Sequence, residues 1–300
     1  CGENYIMFSL SNFLSNLKAI LLPESLYLKN IFVKHTGYKL NLQNPQTLNE
    51  KLQWMKLNYR KDILTICADK LAVRDYISST IGDDYLVPLV FSTEEPEDLR
   101  RFTFPDYPVI IKANHDSGGY HIVRDKNNLK IDKIITDAKK WLNKNHFLKT
   151  KEWQYKNIKP KIIIERLLLD SNGKIPNDIK FSCINGKVEI VHVDSNKEIK
   201  HLRNNYTRNF EPLAINWPEE YQRNSYIKMP DNFVKARELA ERLAEPFPFV
   251  RVDFYLIGDK IYFGELTFHP TSGFGRFQPQ YYDYKFGSRL KLPNVNWNKK

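Results

Sequence analysis

Cysteine is scarce in this 300-residue chain: Cys1, Cys67 and Cys183 stand far apart. An odd count with no C-x-x-C pair excludes a disulfide scaffold and a cysteine-built zinc site, and it reads as a chain from a reducing compartment. No apolar run is long enough to cross a bilayer. No G-x-G-x-x-G opens a helix after a strand, which argues against a doubly wound dinucleotide-binding sheet. The seven histidines form no H-x-x-x-H or H-E-x-x-H ligand pair. There is no G-x-S-x-G nucleophile elbow and no papain-like cysteine context. Internal repeats and low-complexity tracts are also absent.

What remains is a chain with 42% hydrophobic and 13% aromatic residues, enough for a packed core. Charged residues make up 27%, which does not fit wholesale disorder. The net charge is +11. Such an excess suits an anionic partner: a nucleotide, an acidic glycan, nucleic acid or an anionic membrane. A general lysine bias of the surface would give the same number.

Residues 1–45 read as a helical lead-in. Over 5–22, Ile6, Leu10, Phe13, Leu14, Leu17, Ile20 and Leu21 recur at helical spacing. That helix packs on its own domain or rests peripherally on a membrane, although Lys18 is its only basic residue. Thr47-Leu48-Asn49-Glu50 is a capping box that opens a helix to about Arg60. A further helix covers about Asp69 to Ser79, and Pro88 with Glu94–Asp98 reads as loop and a short helix start. Residues 46–108 are thus expected as an N-terminal subdomain.

From Val109 the pattern changes to strand, polar loop (Ala113 to Tyr120), strand, helix (Asp132 to about Asn145) and strand (Lys161 to Glu165). Asn185-Gly186 marks a hairpin between Ile179–Ile184 and Val188–Val193. Residues 195–230 lack periodicity and read as a functional loop or lid. A helix from Asp231 or Asn232 and a last hairpin follow. This order argues for an α+β chain with largely antiparallel sheets. The expected division is a small lobe at about 109–165, a large lobe at about 166–290 and a tail at 291–300.

The last hairpin, Val250 to Gly275, carries the most chemistry. Strand residues alternate faces. A three-residue turn at Gly258-Asp259-Lys260 places Asp253 opposite Glu265 and Arg251 opposite Thr267. A two-residue turn would send the carboxylates to opposite faces. Two carboxylates side by side need a cation between them. The pattern looks like a magnesium platform for a nucleoside triphosphate, with Arg251 for a phosphate oxygen. The alternative is a half-exposed hairpin with a solvated charged face.

Three other segments bear on a nucleotide. Lys112 ends a buried strand before a loop in which Ser117, Gly118 and Gly119 can bring backbone N–H groups close to phosphates. Glu165 ends another strand, and the backbone at Leu167-Leu168 can hold a base between apolar walls. Asp178 and Lys180 share a strand face, suited to a ribose hydroxyl and a phosphate. Each has an ordinary counterpart: a hairpin loop, an edge carboxylate, a solvated strand face.

In combination and order these segments resemble the ATP-grasp superfamily. Arg251-Val252-Asp253-Phe254 with Glu265-Leu266-Thr267 is similar to the R-V-D-F … E-I-N signature of D-alanine–D-alanine ligases, with Thr267 in place of asparagine. Asn44-Pro45, Thr47 to Leu52, Ala68-Asp69-Lys70, Val73-Arg74, Asn114-His115 and Phe263 to Phe268 with Ser272-Gly273 look like the TupA-like, teichuronopeptide-type ATP-grasp family. The resemblance spans about 35–290.

It implies an ATP-grasp fold of two α+β lobes gripping ATP, with an N-terminal helical region. It implies two Mg2+ ions on Asp253, Glu265 and Thr267. Catalysis would fall to Arg251 and Lys112; ATP would meet Lys112, Ser117, Gly118, Gly119, Glu165, Leu167, Leu168, Asp178 and Lys180. The implied reaction joins an amine or amino acid to an acidic sugar or glycan carboxylate, in capsule, O-antigen or cell-wall polysaccharide synthesis. The expected place is the cytoplasm, a peripheral contact at the inner membrane face through residues 5–22 being the lesser alternative. Arg74, Arg203 and Arg276 are candidates for the acidic substrate.

Two rivals remain. A glycosyltransferase using a sugar nucleotide would want a D-x-D motif, but Asp83-Asp84 is adjacent and Asp194-Ser195-Asn196 lacks the second acid. A non-catalytic binder of acidic glycan or nucleic acid suits the charge, yet no stacking platform or recognition helix for nucleic acid is visible.

Overall fold

The structure is a computed structural model, and it describes residues 19–116, 118–195 and 199–294. Ser117 and most of the expected helix over 5–22 lie outside the described residues. None of the described helices is long and apolar enough to cross a membrane.

Among the described residues from Glu24 on, four helices precede the first strand: α1 (Glu24–Thr36), α2 (Leu48–Asn58), α3 (Asp62–Ala68) and α4 (Val73–Ile81). The Thr47–Glu50 capping box forms, with each side chain meeting the other residue's backbone N–H. The box carries more than a cap, because the Glu50 carboxylate also accepts from Asn41 and Gln46 N–H and so fixes the approach to α2.

The small sheet holds β1 (Leu89–Thr93), β2 (Val109–Ala113), β3 (Tyr120–Val123) and β4 (Ile162–Arg166) in the order β1-β4-β2-β3, every pair antiparallel. Helix α5 (Ile131–Leu142) places Ile134, Ile135, Ala138 and Trp141 on the apolar side chains of this sheet. A short helix, α6 (His146–Thr150), follows it.

The large sheet holds β5 (Asp178–Ile184), β6 (Lys187–Ser195), β7 (Leu202–Tyr206), β8 (Phe249–Ile257) and β9 (Lys260–Thr267) in the order β7-β6-β5-β8-β9, again antiparallel throughout. Asn185 and Gly186 both have positive φ, the conformation that a two-residue hairpin turn needs. Helix α7 (Phe233–Ala244) covers one face of the sheet through Phe233, Ala236, Leu239, Ala240 and Leu243. Helix α8 (Tyr281–Arg289) closes the chain against α2, where Lys51 Nζ donates to the carbonyls of Gly287 and Leu290.

Several expectations change. A small lobe starting at 109 leaves out β1, which pairs along β4 and begins at Leu89. The 46–108 stretch has no core of its own: Leu48, Leu52, Val73 and Ile77 belong to one apolar cluster with Phe181, Val252 and Leu243 of the large sheet and α7. The 195–230 stretch contains β7, whose Arg203, Asn204 and Asn205 are buried polar residues; that composition hides a strand from any apolar pattern. Helices α3 and α8 were also missed, because neither shows a clear apolar repeat.

Candidate active site

The polar face of the large sheet gathers side chains from all five strands. The pairing Lys180↔Asp253, Asp178↔Asp194, Asp194↔Arg203, Arg251↔Thr267 and Asp253↔Glu265 sets them side by side. The β8–β9 turn has two residues, Gly258 and Asp259, since Ile257 pairs with Lys260. The three-residue turn expected from the sequence is therefore wrong. The carboxylates still share a face, because a β-bulge at Gly264 lets two residues of β9 oppose Asp253. A Cβ at Gly264 would lie 3.1 Å from the Asp253 carbonyl oxygen, tight enough to favour glycine.

Arg251 holds the centre. Its Nη2 donates to Asp253 Oδ2 at 2.7 Å, Glu265 Oε1 at 2.8 Å and Thr267 Oγ1 at 3.0 Å, while Nε donates to Asp253 Oδ1 at 2.6 Å. Lys180 Nζ meets Asp253 Oδ2 at 2.5 Å, Asp178 Oδ2 at 2.9 Å and Asp194 Oδ2 at 3.8 Å. Burial by itself would raise the Glu265 carboxyl, but the charge of Arg251, then of Lys70 and Lys180, outweighs it and holds the group at about 2. Burial opposes the charged form of Arg251 as well; Asp253 and Glu265 overcome that and push its pKa up.

Among the described residues no three His, Cys, Asp or Glu side chains gather as a ligand set. The candidate set is two carboxylates and a hydroxyl. Their oxygens converge on one cationic nitrogen, so the site is already built to surround positive charge with oxygen donors. That chemistry fits a hard divalent cation such as Mg2+.

Further charges come from the small sheet and from the segment of α3 and α4. Lys112 Nζ meets Glu165 Oε2 at 2.5 Å, and Arg74 Nη1 lies 3.8 Å from Glu165 Oε1 while donating to the Val87 carbonyl at 2.9 Å. Lys70 Nζ donates to the Asp116 carbonyl at 2.7 Å, inside the polar loop after β2. Burial lowers the Lys70 pKa, and Glu265, Asp116 and Glu165 partly restore it. One lysine thus feels carboxylates of both sheets.

Gly118 takes a positive φ in the loop, and Gly119 packs against the Trp141 ring. Leu167 is buried, and its N–H donates to the Pro108 carbonyl, so that donor is engaged within the protein; Leu168 is half-buried. Arg203 grips Asp194 with Nε at 2.5 Å and Nη2 at 2.8 Å and stacks over Tyr221. Arg276 bonds the His35 carbonyl and Glu219, against the α1 end of the molecule. Of the three arginines suggested for substrate, only Arg74 stands beside the Lys112–Glu165 pair. Sequence reasoning gave no role to Lys70, Asp194 or Glu152; Lys70 and Asp194 sat within segments already singled out, but Glu152 carried no signal.

A family model described as TupA-like ATPgrasp matches residues 50–291. The chain belongs to the TupA-like ATP-grasp family.

No curated protein matches this ATP-grasp chain. Solved structures with some likeness include the ATP-grasp ligase PsnB complexed with a phosphomimetic variant of its minimal precursor, Mg and ADP, at 14% identity and TM-score 0.41, over 73% of this chain and 57% of that one. D-alanine–D-alanine ligase from Bacillus anthracis complexed with ATP is 16% identical, with TM-score 0.41 over 76% of this chain and 65% of its own. N5-carboxyaminoimidazole ribonucleotide synthetase from Thermus thermophilus is 12% identical, with TM-score 0.39 over 68% and 45%. The chain spans 57% to 58% of the length of the first of these structures. The family assignment rests on the family match and the motif residues, not on these likenesses.

Proposed function

We propose that this chain is an ATP- and Mg2+-dependent ligase that joins a carboxylate to an amine. The observation that carries the reading is the convergence of Asp253, Glu265 and Thr267 on Arg251 Nη2, with Lys112 held at Glu165 and Lys70 at the loop after β2. A triphosphate brings several negative charges, so positioning and charge neutralisation dominate its chemistry.

On this reading Lys112, Lys180 and Arg251 bind phosphate oxygens, and Lys70 joins them. Asp253, Glu265 and Thr267 are the residues that hold Mg2+, two ions on the family pattern. The metal, when bound, neutralises phosphate charge. Glu165, the backbone near Leu167 and Leu168, and Asp178 orient the nucleoside. The loop with Ser117, Gly118 and Gly119 covers the terminal phosphate and keeps water from it. The substrate carboxylate takes the γ-phosphoryl group, giving an acyl phosphate and ADP. The amine then attacks the acyl carbon; phosphate leaves, a proton is lost and an amide remains.

The net charge of +11 supports an acidic acceptor, and a uronic acid of a polysaccharide precursor is the substrate class put forward. The test is a screen of uronic acids against amino acids and simple amines for ADP release. ADP formed only when both substrates are present supports the ligase. UDP release from a sugar nucleotide, with no use of ATP, would overturn it in favour of glycosyl transfer. Glu265→Gln keeps the fold by circular dichroism and loses ADP formation; wild-type turnover in that variant would remove Glu265 from the site.

A further inference from the structure

The phosphate-facing residues leave one buried polar arc without a role. It runs from the loop after β2 to the end of β9, and its centre is Glu152. Glu152 Oε1 accepts from Ser272 Oγ at 2.8 Å, and Oε2 accepts from Gln154 Nε2 at 3.0 Å. His146 Nε2 lies 3.5 Å from Oε1 and His269 Nδ1 lies 3.7 Å from Oε2. The other ring nitrogen of His146 is 3.8 Å from Asp116 Oδ1, in the loop itself. Burial would raise the Glu152 carboxyl, but His146, His269 and Lys56 overcome it and hold the group well below the usual carboxylate range. The Glu152 carboxylate is therefore buried and charged, with Lys56 reaching it through the Ser272 hydroxyl.

Two atoms beside that charge have no hydrogen-bond partner among the described residues: Gln154 Oε1 and His269 Nε2. Gln154 is 1% exposed and His269 5%. Gln154 Nε2 also lies 3.2 Å from His269 Nδ1, so with Nδ1 accepting, the unpaired Nε2 is an N–H donor and Gln154 Oε1 an acceptor; buried groups of either kind are hydrogen-bonded as a rule, so they call for a ligand or another cause. The adjoining backbone is strained as well. Thr271 and Ser272, just beyond β9, take positive φ of 48° and 55°. Non-glycine residues rarely adopt this conformation, and such strain gathers at ligand clamps. Gln53 Nε2 and Lys56 Nζ hold the strained turn by donating to the carbonyl of Ser272.

We propose that Glu152, Gln154 and His269 form the subsite that receives the amine substrate of the ligase. The proposal rests on the ligase reading above and adds where the second substrate sits. A carboxylate or phosphate there would face Glu152 directly. A primary ammonium offers three N–H donors, enough for a carboxylate oxygen and the Gln154 carbonyl together.

The position suits the role. His269 follows Thr267 by two residues, just beyond the strand that carries Glu265 and Thr267. Asp116, across His146, belongs to the phosphate-covering loop. Tyr155 packs edge-on against His146, ring centroids 4.8 Å apart, and Lys70, assigned to the phosphates above, donates to the Asp116 carbonyl at 2.7 Å. The amine subsite thus borders the place where an acyl phosphate would form. The His146 side chain, 26% exposed, marks the edge of the arc toward solvent.

The test is calorimetric titration of the protein with Mg2+ and a non-hydrolysable ATP analogue present. The probes are the twenty L-amino acids, ethanolamine and putrescine, each beside its N-acetyl form. The expected result is saturable binding of at least one free amine and none of its N-acetyl form. Glu152→Gln and Gln154→Leu should each weaken that binding tenfold or more, with affinity for the ATP analogue kept as the control for folding. Binding that ignores N-acetylation, full binding in Glu152→Gln, or no binding of any probe would overturn the subsite while nucleotide binding leaves the ligase reading standing. Failure of the wild type to bind the ATP analogue would sink both.

Discussion

Asp253 stands directly across from Glu265 although the turn joining their strands has only two residues. In an unbroken ladder that turn would pair Asp253 with Gly264 and send Glu265 to the apolar face. The bulge at Gly264 absorbs the odd residue, and both carboxylates reach Arg251. Gly264→Val puts branched carbon where a Cβ already lies 3.1 Å from a backbone oxygen. The expected cost is about 1–3 kcal/mol, read by urea unfolding, together with weaker binding of Mg2+ and nucleotide. Unchanged stability would show that the bulge does not need glycine.

Arg251 fills the point on which Asp253, Glu265 and Thr267 converge. A divalent ion arriving without nucleotide has to displace a guanidinium that nothing else would then receive. Phosphate oxygens would receive it. Arg251→Met should therefore bind Mn2+ in the absence of nucleotide about tenfold more tightly than the wild type, about 1.4 kcal/mol, as followed by electron paramagnetic resonance. Equal Mn2+ affinity would mean that the guanidinium does not compete with the ion.

Lys112 is paired with Glu165 beside Arg74. Lys112→Ala removes a phosphate contact and leaves Glu165 with a single, more distant partner. Affinity for ATP should fall by about 2–4 kcal/mol, measured by titration with a non-hydrolysable analogue. Unchanged affinity would rule out the contact.

Asp283 lies deep between α2 and α8, where it accepts from Tyr38 Oη at 2.7 Å and from the Asn49 N–H and Nδ2 at 3.0 and 2.9 Å. Burial outweighs these bonds and raises its pKa from 3.8 to about 6. The folded chain therefore holds this proton more tightly than the unfolded chain. The stability it confers is complete below about pH 4 and is lost as pH rises to about 6, by about 3 kcal/mol. Asp283→Asn should flatten the unfolding free energy across that window. A slope equal to the wild type would place the titration elsewhere.

The sequence by itself determined the chemistry of the last hairpin. Strand alternation is a local property with a period of two, so Arg251 with Asp253 and Glu265 with Thr267 were bound to share faces within their strands. The Thr47–Glu50 cap and the Asn185-Gly186 turn are equally local, and both form. The tertiary structure decided what depends on distant partners. It set the register that brings the two strands' carboxylates together, because a bulge leaves no mark in an alternating pattern. It drew β1 and the polar strand β7 into sheets whose other members supply their hydrogen bonds. It carried Lys70 to the field of Glu265, and Glu152 to His269, 117 positions along the chain, where His146, His269 and Lys56 outweigh burial and keep the glutamate charged.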